Sequence, residues 1–428
     1  MRLNDIDGHY NPSFFNMVLE TDEDISDAIN KYTATFIHEF LHYIQDIILP
    51  YNIRVNLSWL HWFSNMRQSA LGNGYIKRPF TDWYSDSKTT QLQYKMTFGG
   101  QFGDSRSVFV KKVWKLEDII PSFEKASGFD ASYAMKYREF NVYTYNMRVN
   151  NAIMYNLGAR DLLEYIAHQI ESKHFVSDGS SPQLPYRSVD LLFDYYGLSH
   201  VPNDIRLCIA EVCLYNDNPM RFLFVNFLEN KEFSQRITGL SYDEVYKKLL
   251  SLEFTSADGV KETITHKTNR RLRDFENILS LHYVNFVGIK DWIEKVSCFS
   301  ETELSNRFIF SDMYKMDTSE FEETVSWIIS RIGLPLVMNN QEKCITLQSS
   351  QDNVNEFIQF YILQNFFGYV LSGTKKTSVC PIYSFCKANG DIYDDQCNCN
   401  LQKEQLENKK CPYFEFLKSY GLIDIDII

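Results

Sequence analysis

The stretch FIHEFLHYIQDIILP runs from Phe36 to Pro50 and carries His38, Glu39 and His42 in the spacing H-E-x-x-H. Ile25, Ile29, Tyr32, Phe36, Phe40, Ile44 and Ile47 recur at three- and four-residue intervals, the period of a helix with one buried face. Thr21 or Asp22 is expected to cap this helix, and Asp22, Glu23 and Asp24 suit the positive end of its dipole. Pro50 is expected to stop it. Histidines four residues apart stand one turn above each other, so both imidazoles can reach one cation. Glu39, turned about 100° from His38, falls beside that cation rather than on it. A carboxylate there can hold and deprotonate a water on the metal.

The segment Thr33–Asp46 resembles the zincin metallopeptidases. The resemblance implies that His38 and His42 bind zinc and that Glu39 is the general base. It also implies an α+β fold, in which a small antiparallel or mixed sheet packs beside the H-E-x-x-H helix. The metzincin pattern would continue with glycine at position 45 and histidine at 48, but Gln45 and Ile48 stand there, so that subclass is excluded. The gluzincins instead draw a glutamate from a later helix.

Catalytic zinc takes three protein ligands and leaves a position for water. Two glutamates are candidates for the third. Glu164 lies in LGARDLLEYIAHQIESKHF (Leu157–Phe175), a helix with Leu162, Leu163, Ile166, Ala167 and Ile170 on one side. Its E-x-x-A spacing to Ala167 is similar to the ligand helix of several gluzincins. Glu211 lies among Cys208, Ile209, Ala210, Val212 and Cys213 in a second helical stretch, Asp204–Pro219; a lone glutamate in so apolar a setting needs a partner or a ligand. Asp161 and His168, about one turn either side of Glu164, are candidates to orient a zinc histidine or to stabilise an oxyanion. Gln45 and Asp46 continue the histidine face. None of the 27 tyrosines can be singled out as an oxyanion donor.

The chain has 428 residues, 44% hydrophobic and 23% charged, enough for a substantial core and more than one packed unit. Residues 1–240 are expected to form a metallopeptidase domain with a β-rich insertion near 85–150, residues 241–370 a helical domain, and 371–428 a Cys-rich tail. Within the first unit, Asn11–Glu20 reads as a short strand region, Gln91–Leu116 as two or three antiparallel strands about Gly99 and Gly100, and Arg138–Met154 as another strand. The net charge of −12 argues against nucleic acid as a partner. The basic run His266–Arg273 reads as a solvated helix start, with phosphate contact as the alternative. No window approaches the roughly 20 apolar residues of a membrane span, and the N-terminal residues lack the apolar core of a secretion signal. A cytoplasmic protein with reduced cysteines is therefore expected.

Five of the nine cysteines, Cys380, Cys386, Cys397, Cys399 and Cys411, fall within the tail. Their number suggests a second, structural zinc, with free thiols or redox pairs as alternatives. Cys208, Cys213, Cys298 and Cys344 lie in apolar segments and read as core residues. The functional expectation is a zinc-dependent endopeptidase with a specific protein or peptide substrate and scope for a regulatory protein partner. The Asn-, Ile-, Lys- and Tyr-rich composition fits an AT-rich bacterial genome, where zincin-like proteases of toxin or defence type are one setting. Two rivals stand beside it: a catalytically silent zincin-fold sensor or interaction protein, and a nucleic-acid-binding regulator using the tail.

Overall fold

The computed structural model describes residues 8–80, 94–99, 109–130, 136–151, 153–176, 181–237, 239–255, 261–282, 287–347, 351–371, 380–390, 397 and 411–428. The chain is mixed α+β, with small sheets set among many helices. Strand β1 (Gly8–Asn11) pairs antiparallel with β2 (Asn16–Leu19). The expected long helix is broken in two, α1 (Ile25–Lys31) and α2 (Thr33–Ile48). Asp24, rather than Thr21 or Asp22, caps α1 by accepting from the Ser26 N–H at 3.0 Å. Tyr32 leaves helical geometry between the two, at φ −115° and ψ 42°.

Pro50 starts a helix as well as ending one. Leu49 is extended, as a residue before proline tends to be, and Pro50 opens α3 (Pro50–Asn73). A proline at the first helical position lacks only an N–H that would have had no intrahelical partner. Gly74, at φ +76°, closes α3 in the left-handed conformation that favours glycine.

Strand β3 (Tyr75–Ile76) follows, then β4 (Leu116–Asp130), β5 (Lys136–Val149) and β6 (Ile153–Leu157), which form an antiparallel sheet in that order. The strand reading of Arg138–Met154 thus lands on β5 and the start of β6. The reading of Gln91–Leu116 as strands needs correction where it can be described. Residues 94–98 are helical, and Gly99 ends that turn at φ +73° with its N–H on the Lys95 carbonyl. The glycine pair read as a hairpin turn therefore contains a helix terminus; residues 91–93 and 100–108 lie outside the described residues.

Helices α4 (Ala159–His174), α5 (Ser188–Tyr195), α6 (Asn203–Cys213) and α7 (Pro219–Leu223) come next. Helix α6 stops at Cys213, short of the helical stretch read through to Pro219. Asn218 caps α7 by accepting from the Arg221 N–H, and Pro219 is its first residue. Then come α8 (Lys231–Ile237), α9 (Tyr242–Leu250), the β7–β8 pair (Phe254–Thr255, Lys261–Glu262), α10 (Ile264–His282), α11 (Val287–Thr302), α12 (Ile309–Lys315) and α13 (Thr318–Ile332).

Strand β9 (Leu336–Asn339) returns to pair parallel with β2, and β10 (Cys344–Ile345) extends the sheet, giving the order β1-β2-β9-β10. One sheet therefore draws strands from both 1–240 and 241–370. The chain closes with α14 (Gln351–Leu371), α15 (Tyr383–Asn389), α16 (Pro412–Ser419) and β11 (Asp426–Ile427), the last parallel to β3. A contiguous apolar core runs from Tyr10 to Leu422. No helix among the described residues is long and apolar enough to cross a membrane.

Two close approaches fix the frame of the site. A Cβ on Gly8 would run into Thr35 and crowd the Glu39 side chain, so a glycine lets β1 lie against α2. A Cβ on Gly158 would strike the Thr97 backbone, so the start of α4 also needs a glycine.

Candidate metal centre

Helix α2 packs against α4. The face of α2 that carries His38 and His42 thereby meets Glu164. His38 Nε2 lies 3.2 Å from His42 Nε2, and Glu164 Oε2 lies 3.4 Å from the first and 3.3 Å from the second. Donor atoms held about 2.0–2.1 Å from a tetrahedral cation stand about 3.3 Å from one another. The triangle fits that demand on all three edges. Among the described residues these three form the group able to hold a metal ion.

Neighbours fix which ring nitrogen each histidine offers. His38 Nδ1 is 3.0 Å from Glu171 Oε2. An Nδ1–H donating to that carboxylate leaves the Nε2 lone pair aimed at the centre. His42 Nδ1 is 2.8 Å from Gln45 Oε1, and Gln45 in turn donates its amide to the Leu163 carbonyl at 3.0 Å. The amide oxygen must then accept, so His42 also presents Nε2. Arg160 Nε donates to Glu164 Oε1 at 3.2 Å, leaving Oε2 toward the histidines.

The electrostatics agree with a cation-binding trio. Burial disfavours the Glu164 carboxylate, but the positive charge of His42, the hydrogen bonds of His38 and His42, and Arg160 outweigh it and hold its pKa well below the usual value. Burial likewise opposes protonation of His38, yet Glu164 and Glu171 raise its pKa well above the ordinary imidazole value. The pocket is thus built to stabilise positive charge, and a divalent cation can take the place of the proton shared by these groups. Glu39 differs. Burial pushes its pKa up against the pull of His38 and His42, and among the described residues no hydrogen bond occupies its carboxylate.

The other residues singled out in the sequence divide. Gln45, on the histidine face as expected, touches His42. Asp46 does not: its carboxylate accepts from the Tyr10 hydroxyl at 2.9 Å and the Ser13 N–H at 2.8 Å, tying α2 to the β1–β2 turn. Asp161 turns to the start of its own helix, where it accepts from the Gly158 N–H and the Tyr155 hydroxyl; it does not orient a zinc histidine. His168 contacts Ser172 and lies 3.7 Å from Glu171, one step removed from His38.

Glu211 is fully buried and away from the trio. It accepts from the N–H groups of Phe310 and Ser311 and from the Ser311 hydroxyl at the start of α12. It is a helix-capping carboxylate rather than the third ligand. The basic run on α10 is solvated only in part, with His266 and Arg273 exposed. Lys267 and Arg271 are buried against Asp217 at 3.4 and 3.3 Å, and Arg270 pairs with Glu262.

Two neighbours escaped the sequence reading. Glu171 sits one helical repeat beyond Glu164, at i+7, a spacing that places both on one face of α4. Tyr186 packs edge-on against the His38 ring at 5.8 Å and over His168 at 4.9 Å. Burial, then Glu164 and Glu39, raise its phenol pKa, which keeps it a neutral donor. No local pattern distinguishes Tyr186 from the other tyrosines.

Of the tail cysteines, Cys380, Cys386, Cys397 and Cys411 are described, with Cys380 and Cys411 buried and Cys386 and Cys397 half-buried; Cys399 lies outside the described residues. Cys208 and Cys213 are core residues, whereas Cys298 is exposed and Cys344 half-buried. Comparison with protein-family models, with curated proteins and with solved structures finds no match to this chain, so the reading of the site rests on its own geometry.

Proposed function

We propose that the chain is a zinc-dependent peptidase with a zincin-like core, an intracellular endopeptidase that cleaves a specific protein substrate. The observation that carries this reading is the triangle of His38 Nε2, His42 Nε2 and Glu164 Oε2, with Glu39 beside it on α2 and, among the described residues, no hydrogen bond on its carboxylate. A zinc ion bound by this trio would polarise the scissile carbonyl and lower the pKa of a water.

The chain's own groups supply the rest. Glu39 takes the water's proton and later delivers it to the leaving amine. The burial that raises its pKa brings this base closer to neutral pH, where proton transfer in both directions is efficient. Tyr186, packed on His38, is the hydroxyl we assign to the developing oxyanion. Glu171 and Gln45 keep the two imidazoles in the correct tautomer.

The test is cleavage of a peptide library read by mass spectrometry, run in parallel with elemental analysis. The wild-type chain should cut peptide bonds and bind metal at His38, His42 and Glu164. Glu39→Gln should keep that metal and lose the cleavage. A Glu39→Gln protein that cuts as fast as wild type would contradict the mechanism.

A further inference from the structure

Phe109 is 52% exposed, yet its ring is held in place. The ring centroid lies 6.3 Å from that of Tyr186, at an interplanar angle of 37°. The Arg160 guanidinium lies 5.7 Å over the Phe109 ring. Both neighbours lead to the metal centre. Tyr186 packs on His38, and Arg160 donates to Glu164. Phe109 is therefore one side chain removed from two of the three candidate ligands.

The backbone beneath the ring is fixed as well. The Val110 N–H donates to the Leu184 carbonyl at 3.3 Å, and the Leu184 N–H donates to the Val110 carbonyl at 3.2 Å, forming an antiparallel bridge. Gln183 extends the tie. Its N–H donates to the Lys111 carbonyl, and its side-chain oxygen accepts from the Val113 N–H. The bridge lies two residues before Tyr186, so the segments that carry the two rings are stitched together. Val110 and Leu184 are buried. Successive side chains of an extended chain point to opposite sides, so the seat of Val110 in the core turns Phe109 outward.

A singly exposed apolar side chain needs no explanation by itself. Trp114 and Phe123, 70% and 64% exposed, are of that kind; among the described residues neither has a ring contact with Tyr186 or with the trio. Phe109 differs because it brings apolar surface to the rim of a charged centre. A peptide bound at the trio carries its side chains past that rim. An aromatic side chain meeting Phe109 gains both burial and ring–ring contact. The Arg160 guanidinium beside it stacks on a second ring as well as on the first, and repels a cationic side chain.

We propose that Phe109, with Tyr186 and Arg160 beside it, forms a subsite for the side chain of a substrate residue next to the scissile bond, and that it selects an aromatic side chain over a small or a cationic one. The proposal deepens the peptidase reading and rests on it for the nature of the substrate; the contacts that carry it do not involve Glu39.

The experiment compares the wild-type chain with Phe109→Ala in two readouts. The first is the cleavage pattern of a peptide library. Wild type should cut roughly tenfold faster where Phe, Tyr or Trp flanks the bond than where Gly or Lys does, and Phe109→Ala should lose that preference while keeping its metal. Phe109→Tyr should retain it, and Trp114→Ala, at an exposed aromatic away from the centre, should leave it unchanged. The second readout needs no turnover: calorimetric binding of N-acetylphenylalanine hydroxamate against its glycine counterpart, and of a 2-benzylsuccinamide hydroxamate against its unsubstituted parent. These pairs place a ring on the acyl and the amine side of the metal-binding group. One pair should show a roughly tenfold advantage for the ring, abolished by Phe109→Ala. Such an advantage in a chain that cuts no peptide would sink the peptidase reading and support the subsite. Cleavage without aromatic preference, a preference that survives Phe109→Ala, or no advantage for the ring in either pair would each overturn the subsite.

Discussion

Glu164 and Glu211 invite direct comparison. Each is a glutamate on a helix with a strongly apolar face, each sits in a buried environment, and α4 and α6 pack against one another. Their partners separate them. Glu164 faces two imidazole nitrogens, one on each histidine, whose other ring nitrogens are engaged by Glu171 and Gln45. Glu211 faces two backbone N–H groups and a hydroxyl, all donors. Burial tells that a carboxylate must be compensated; only the chemistry of its neighbours tells whether a cation or a set of hydrogen bonds does it. Two ring nitrogens and a carboxylate converging at one point, as around Glu164, leave a place that a cation or a proton must fill.

Exchanging each glutamate for glutamine breaks the comparison most sharply. Glu164→Gln removes the only anionic member of the trio and should abolish both stoichiometric metal binding and peptide cleavage, read by elemental analysis and a library digest. Glu39→Gln should lower kcat by ~10²–10⁴-fold, the range for loss of a general base, with metal retained. Tyr186→Phe should cost ~10²–10³-fold in kcat if its hydroxyl meets the oxyanion, and a KM-dominated loss would instead assign it to substrate packing. Glu171→Gln should weaken metal affinity by ~10–100-fold through loss of the His38 partner, measured by competition with a chelator.

Glu211→Gln should leave metal content and activity at wild-type levels. Its effect belongs to stability and depends on pH. Burial, against the hydrogen bonds of Ser311 and Phe310, pushes the Glu211 carboxyl up to about 8, from 4.5 in an unconstrained chain. The folded protein then keeps a proton that the unfolded chain loses across that interval. The stability from this group is complete below pH 4.5 and is lost as the pH rises toward 8, by up to ~1.4 kcal/mol per pH unit. Denaturant unfolding should show that decline in wild type and its absence in Glu211→Gln. Equal slopes in the two proteins would mean that Glu211 is ionised when folded.

What the sequence disclosed about the site follows from distance along the chain. His38, Glu39, His42 and Gln45 lie within two turns of one helix, so a fixed 100° step relates them whatever the rest of the fold does. Glu164 was one of two candidates because helical period reveals a buried face but not what lies across from it. Asp161 illustrates the same limit: its position one turn from Glu164 is correct, but Gly158 and Tyr155 claim its carboxylate. Tyr186 reaches His38 only through tertiary packing, which no periodicity encodes.

The mixed sheet was illegible for a similar reason. Pairing of β2 with β9 joins residues 16–19 to 336–339, and neither four-residue strand carries a partner signal of its own. The stop expected at Pro50 is met, and both Pro50 and Pro219 also open the helix that follows. Proline ends a helix and suits the first position of the next equally well, and the chain used both properties at Pro50.

The most direct test of the central claim is the difference in metal content between the wild-type chain and His38→Ala/His42→Ala, both purified without chelators and shown to be folded by circular dichroism. The account predicts that wild type carries one more equivalent of zinc than the variant. Equal metal content in the two proteins would contradict it.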